Sequence, residues 1–220
     1  MTGIDRKFTA AIFDMDGLIL DSEMTVLRCW EEVGRRFNLP DITAFAISVI
    51  GKNKKATLEE FTRKYDLPGP EYEVEVRAIY NDLAAQGKVP LKPYTIELLK
   101  AMKKAGMKTA IASSSLRSEV VPQMEKLGAA PYFDAMVCGD QVTKSKPDPE
   151  IFLLACDALG VRPEEAVGLE DSFNGVRACS ASGLYTIMVP DIIQPDDEMK
   201  GLADIILPSL TEVQAFLNLK

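Results

Sequence analysis

The chain has 220 residues, 47% of them hydrophobic and 26% charged, proportions of a globular protein large enough to bury a core without disulfides or structural metals. Its 33 acidic against 25 basic residues give a net charge of −8, which argues against nucleic acid as the main partner but not against small phosphate esters. There is no histidine, which excludes Ser-His-Asp and Cys-His hydrolases, histidine-ligated zinc hydrolysis and phosphohistidine chemistry, and leaves acid-base work to carboxylates, lysine, tyrosine or cysteine.

In chain order, residues 9–13 read as a short strand. Helical patterns follow at 23–37, 55–65 and 71–85, with no buried strand among them. From there strand and helix alternate: helix 95–105, strand 108–112, helix 118–127, strand 135–138, helix 149–159, strand 166–169, helix 173–181, strand 185–189, then a weaker strand at 204–207. The strands are short and largely unalternating, as expected where both faces are covered. Gly106, Gly128, Gly160 and Gly183 follow the last four helices, where C-terminal caps belong. This order predicts an α/β fold, a doubly wound Rossmann-like parallel sheet. The expected core comprises residues 1–20 and 87–220, and a small α-helical cap domain, residues 21–86, is inserted after the first strand. Linkers are expected near residues 20–21 and 86–93, the second containing a glycine and two prolines.

No apolar run approaches a membrane span, and no secretory signal pattern is present at the N-terminus. Cys29, Cys138, Cys156 and Cys179 are widely spaced within apolar stretches, which suits reduced thiols filling core space in a cytoplasmic protein. The acidic surface and the absence of an obvious exposed apolar helix predict a monomer.

Chemistry gathers where strands end. Asp14 and Asp16 close the first strand, two residues apart, so both carboxylates can enter one crevice, and Gly17 permits a sharp turn. Two close carboxylates repel unless a cation or proton lies between them, and Mg²⁺ pairs carboxylates with phosphate oxygens. An Asp-Gly turn without function explains these residues equally well when they are taken alone. After the second strand, Ser113-Ser114-Ser115 offers hydroxyls and backbone N–H groups at a helix start, a phosphate cradle or an ordinary cap. After the third, Lys144-Ser145-Lys146-Pro147-Asp148-Pro149 holds a lysine in a chain stiffened by proline, aimed at the crevice or simply solvated. After the fourth, Glu170 and Asp171 form a second acidic pair, although Asp171 also suits a helix cap.

Asp/Asp, Ser, Lys and Glu/Asp arriving in that order at four successive strand ends resemble the motifs of the haloacid dehalogenase superfamily, over essentially the whole chain. Lys146-Pro147-Asp148-Pro149, Leu169-Glu170-Asp171-Ser172 and the helical insertion resemble its β-phosphoglucomutase-like subgroup. The resemblance implies that Asp14 attacks phosphorus to form an aspartyl phosphate, while Asp16 protonates the leaving group and later takes a proton from the acceptor. It implies Mg²⁺ held by the Asp14 and Asp171 side chains, the Asp16 carbonyl and Glu170. Lys146 would neutralise charge between Asp14 and the phosphoryl oxygens, with Ser113 donating a hydrogen bond to them.

Ser114, Lys54 and Arg117 are candidate substrate contacts. Lys54 lies in a segment, residues 51–55, that is either a cap contact with substrate or a solvated helix entrance. Asn174 and Gly175 either support the metal site or merely form the first turn of their helix. Trp30 is expected in the cap core. True dehalogenases lack an acid two residues after the nucleophile, so Asp16 points to phosphate esters. Mutases of this type tend to carry a histidine after the first motif, and none stands in residues 21–26; Asp21-Ser22-Glu23 is common among sugar-phosphate phosphatases. Phosphatase is therefore the expected activity, phosphosugar mutase the alternative, and a non-catalytic module on the same fold the third reading.

Overall fold

In the computed structural model, residues 7–50 and 54–220 are described, the side chain of Lys54 excepted. Strands β1 (Ala10–Phe13), β2 (Lys108–Ser113), β3 (Ala135–Cys138), β4 (Ala166–Glu170), β5 (Tyr185–Met188) and β6 (Ile205–Ile206) form one sheet. The order is β3-β2-β1-β4-β5-β6 and every pairing is parallel. Central β1 lies between β2 and β4, with Phe13 opposite both Ile111 and Leu169. All four residues of β1 are buried, as its apolar sequence demands of a strand covered on both faces.

One face carries Ala10, Ile12, Ala110 and Ala112 under helices α7 (Glu150–Leu159) and α8 (Phe173–Ala181). Small residues on the strands let these helices approach closely, and Phe152 and Leu159 of α7 fill the space between. Leu98, Leu99 and Met102 of α5 (Thr95–Lys104) lie outside that cluster; all three are fully buried, and α5 packs on β2 and against α10 (Leu210–Phe216). The four glycines that follow α5, α6 (Arg117–Lys126), α7 and α8 adopt positive φ, as helix-ending glycines do. All four cysteines are buried thiols.

The chain divides into two compact units, one of residues up to Leu20 with Leu91–Lys220, the other Asp21–Pro90. The second holds α1 (Ser22–Phe37), α2 (Ile42–Val49), α3 (Lys54–Tyr65) and α4 (Gly69–Ala85). Helix α2 was not expected. Its buried positions, Ile42, Phe45, Ala46 and Val49, have helical spacing, but apolar Ile47 on the outer face hides the stripe. Helices α9 (Asp197–Leu202) and α10 were also not expected; each is short and is started by a side-chain cap, Asp196 or Ser209. The helical unit has its own aromatic core, with Trp30 edge-on to Phe45 at 5.6 Å and tilted over Phe61 at 5.5 Å. Glu23, Leu27, Trp30, Val49 and Thr57 help line a cavity of about 190 Å³ in this unit. Among the described residues no helix is long and apolar enough to cross a membrane.

Candidate active site

The strand order reverses between β1 and β4. Chains entering and leaving diverge there and open a crevice at the carboxyl ends of the strands, where sheets of this kind bind ligands. Asp14 stands one residue past β1, its N–H donating to Leu169 O at 3.0 Å, so the parallel ladder itself fixes the backbone that carries the carboxylate. Asp14 is 8% exposed, whereas Asp16 is half-buried. Beyond Asp16 the chain turns at Gly17, whose φ is +80° and whose N–H donates to Leu20 O at 3.0 Å. A side chain there would be strained and would also collide with the Asp171 carboxylate.

Glu170 is the last residue of β4 and fully buried, one residue beyond the expected strand end. Such a carboxylate needs partners, and it has them. Its Oε1 accepts from Lys146 Nζ at 2.5 Å; its Oε2 accepts from the Asp171 N–H, the Ser172 N–H and the Ser172 hydroxyl at 3.1 to 3.2 Å. Gly175, on the first turn of α8, makes room for this carboxylate, since a Cβ would overlap it. Ser172, not Asp171, caps α8, accepting from the Gly175 N–H at 3.1 Å. Asn174 accepts from Arg177 at 2.9 Å on the exposed side of that helix.

Lys146 arrives from the loop between β3 and α7. Glu150 braces that loop by accepting from Thr143 N–H and hydroxyl and from Lys144 N–H, at 2.8 to 3.0 Å, while the Glu150 N–H donates to Asp148. The Lys146–Pro147 peptide is cis. The ammonium, its side chain 7% exposed, donates to Asp14 at 2.5 Å, to Glu170 at 2.5 Å and to Ala112 O at 3.0 Å, and lies 4.9 Å from the centre of the Phe152 ring.

The Lys146 ammonium thus faces two buried acids, Asp14 and Glu170. Burial opposes the Lys146 charge, but Asp14 and Glu170 outweigh it and hold the lysine above its ordinary range. Asp14 is pushed up to about 8, first by burial and then by the charges of Glu170 and Asp16, against the pull of Lys146. The two partners respond oppositely to one contact: it secures the ammonium but does not compensate Asp14, because Glu170 shares the same charge. We take the lysine as protonated and Asp14 as short of positive charge. Asp14, Glu170 and Asp171 each offer a carboxylate oxygen, all within 4.8 Å of one another. Three hard oxygen donors in a charge-deficient pocket fit a divalent cation such as Mg²⁺.

Of the other expected residues, Ser113 ends β2, is fully buried, and accepts from the Ser115 N–H at 3.1 Å. Ser114 is exposed beside it. The Arg117 guanidinium donates to Met136 O at 2.9 Å and its N–H to Asp140 at 3.0 Å, which ties it to β3 and the turn after it. Residues 51–53 and the Lys54 side chain lie outside the described residues. The hydroxyl of Ser115, the third serine of the run 113–115, donates to Asp16 Oδ2 at 3.1 Å, a contact the sequence did not single out. The run of three serines was its signal, but spacing alone did not separate the third from its neighbours.

The model of the family described as haloacid dehalogenase-like hydrolase matches residues 11–189. A phosphorylated carbohydrates phosphatase from Thermotoga maritima is 30% identical over 215 residues, spanning 95% of this chain and 96% of that protein. Among solved structures, a HAD family hydrolase from Deinococcus radiodurans with bound phosphate and sodium superposes with TM-score 0.81 at 28% identity, covering 97% of this chain and 96% of that one. A candidate β-phosphoglucomutase from Thermotoga maritima superposes with TM-score 0.79 at 27% identity, over 95% and 96% of the two chains. With the family model matched across most of its length and these relatives aligned over nearly their whole lengths, the chain belongs to the haloacid dehalogenase-like hydrolases.

Proposed function

We propose that this protein is a Mg²⁺-dependent phosphatase acting on small phosphate monoesters, sugar phosphates among them, through an aspartyl phosphate on Asp14. The observation that carries this reading is the buried Lys146 ammonium spanning Asp14 and Glu170 at the strand-order reversal, with Asp171 beside them. An Asp14 oxygen attacks phosphorus; the bond to the ester oxygen breaks, and that oxygen takes a proton from Asp16, leaving an alcohol and an acyl phosphate. Water then attacks the acyl phosphate and gives a proton to Asp16, restoring the Asp14 carboxylate and releasing inorganic phosphate. Lys146 holds the Asp14 oxygens in line and offsets phosphoryl charge, and the Ser113 hydroxyl donates to a phosphoryl oxygen. Mg²⁺ held by Asp14, Asp171, Glu170 and the Asp16 carbonyl supplies further positive charge to those oxygens. We assign substrate selection to the helical unit, with its cavity beside Glu23 and Trp30, and leave Ser114, Lys54 and Arg117 as proposed substrate contacts.

Phosphosugar mutase is the second reading, favoured by the likeness to a candidate β-phosphoglucomutase and opposed by the lack of any histidine. Incubation with Mg²⁺ and a panel of sugar phosphates, measuring free phosphate and isomer conversion separately, tests both. Stoichiometric phosphate release is the expected result. Isomer conversion primed by a bisphosphate, with little phosphate released, overturns it. Beryllium or aluminium fluoride is expected to inhibit only when Mg²⁺ is present, by occupying the phosphoryl position at Asp14. Activity indifferent to these complexes counts against the covalent route.

A further inference from the structure

We infer that Ser115 is a positioning residue, one that fixes the direction in which the Asp16 carboxyl points. The inference rests on the acid-base role proposed for Asp16. It adds a residue whose only action is through that one.

Both ends of the contact are anchored by backbone. On the Asp16 side, the loop after β1 is closed on itself: Gly17 N–H donates to Leu20 O, Ile19 and Leu20 N–H groups both donate to Met15 O, and Asp16 and Leu20 form an isolated parallel bridge. On the Ser115 side, its N–H donates to the Ser113 hydroxyl at 3.1 Å and its carbonyl accepts from the Gly139 N–H at 2.9 Å. The end of β2 is thus tied to its own last residue and to the end of β3. With both main chains fixed, the remaining freedom of Asp16 is rotation of its side chain. The Ser115 hydroxyl, donating at 3.1 Å to Oδ2, restrains that rotation.

A serine suits this task for a chemical reason. A hydroxyl donates to a carboxylate and accepts from a carboxylic acid, so one contact holds Asp16 before and after it gives up its proton. A lysine or amide N–H in its place could only donate. Both residues are half-buried, so neither is sealed from an incoming ester. Orientation of a proton donor is worth rate when the leaving oxygen needs a proton, and little when it does not.

That difference supplies the test. The kcat/KM values of wild type, Ser115→Ala, Ser115→Thr and Asp16→Asn are compared on 4-nitrophenyl phosphate, whose leaving group departs without a proton, and on the sugar phosphate that wild type hydrolyses fastest. Ser115→Ala is expected to lower the sugar-to-aryl ratio by about 10- to 100-fold. Threonine, which keeps the hydroxyl, is expected to restore it. Asp16→Asn is expected to lower the same ratio further. A Ser115→Ala enzyme in which both substrates slow equally marks Ser115 as a structural or phosphate-binding residue and overturns the inference. Asp16→Asn with an unchanged ratio removes the acid-base role itself, a separate failure that this control identifies.

Discussion

Replacing Asp14 with asparagine is expected to abolish turnover, on the order of a 10⁶-fold loss as for removal of a reacting nucleophile elsewhere, while the protein folds as well as before. The amide oxygen cannot form the acyl phosphate, but it keeps the shape of the carboxylate and still accepts from Lys146. Stability should not suffer, and the physical reason lies in the pocket's charge. The ionised Asp14 side chain is opposed first by burial and then by Glu170 and Asp16, enough to push its pKa to about 8. A neutral isostere removes that opposition. The expected outcome is an unchanged or higher melting temperature in the metal-free protein together with lost phosphate release, measured by thermal denaturation and a phosphate assay on the same preparation. Substantial residual turnover would sink the covalent mechanism. An unfolded variant would show that the carboxylate charge is structural.

Removing the lysine acts on both fold and chemistry. Lys146→Met keeps an unbranched side chain against the Phe152 ring but leaves the Asp14 and Glu170 carboxylates buried without their shared ammonium. Breaking a buried pair by deleting one partner costs about 3–5 kcal/mol, so a large fall in melting temperature is expected, along with loss of activity. The second variant separates these effects. In Lys146→Met/Glu170→Gln one of the stranded charges is gone, so most of the stability should return, yet turnover should not, because nothing offsets phosphoryl charge at Asp14. A double variant as unstable as the single one would locate the lysine's contribution in packing. A double variant that regains activity would take Lys146 out of the mechanism.

Much of the sheet was legible in the sequence because buried parallel strands write themselves as short apolar runs. The run at 135–138 is a strand with those limits, and the helix at 173–181 likewise. Elements with an unbroken apolar surface were less legible. Helix α2, Ile-Thr-Ala-Phe-Ala-Ile-Ser-Val, is helical because Phe45, Ala46 and Val49 pack into the aromatic core of its unit, and β-branched residues override nothing once that burial is available. The short α9 and α10 escaped notice because each depends on one capping side chain more than on a long amphipathic stripe.

The candidate site divides along the same line. Residue type and order sufficed to single out Asp14, Asp16, Ser113, Lys146, Glu170 and Asp171, because acids, hydroxyl and lysine at successive strand ends are chemically suggestive before any contact is known. The sequence by itself could determine that these groups converge on one edge, since parallel strands put all their carboxyl ends on the same side. What each group touches was decided by tertiary structure. Lys146 and Asp14 stand 132 positions apart, and nothing in the intervening sequence fixes a 2.5 Å contact; the strand order, the Glu150 brace and the close packing of α7 do. That Ser172 caps α8 while Asp171 stays beside Asp14, that Gly175 leaves space for the Glu170 carboxylate, and that Ser115 reaches Asp16 are likewise outcomes of packing. Local sequence encodes which groups are available and where along a strand they fall. Which lone pair meets which proton depends on side chains brought together from distant parts of the chain, and hydrogen bonds form only over the last few tenths of an ångström.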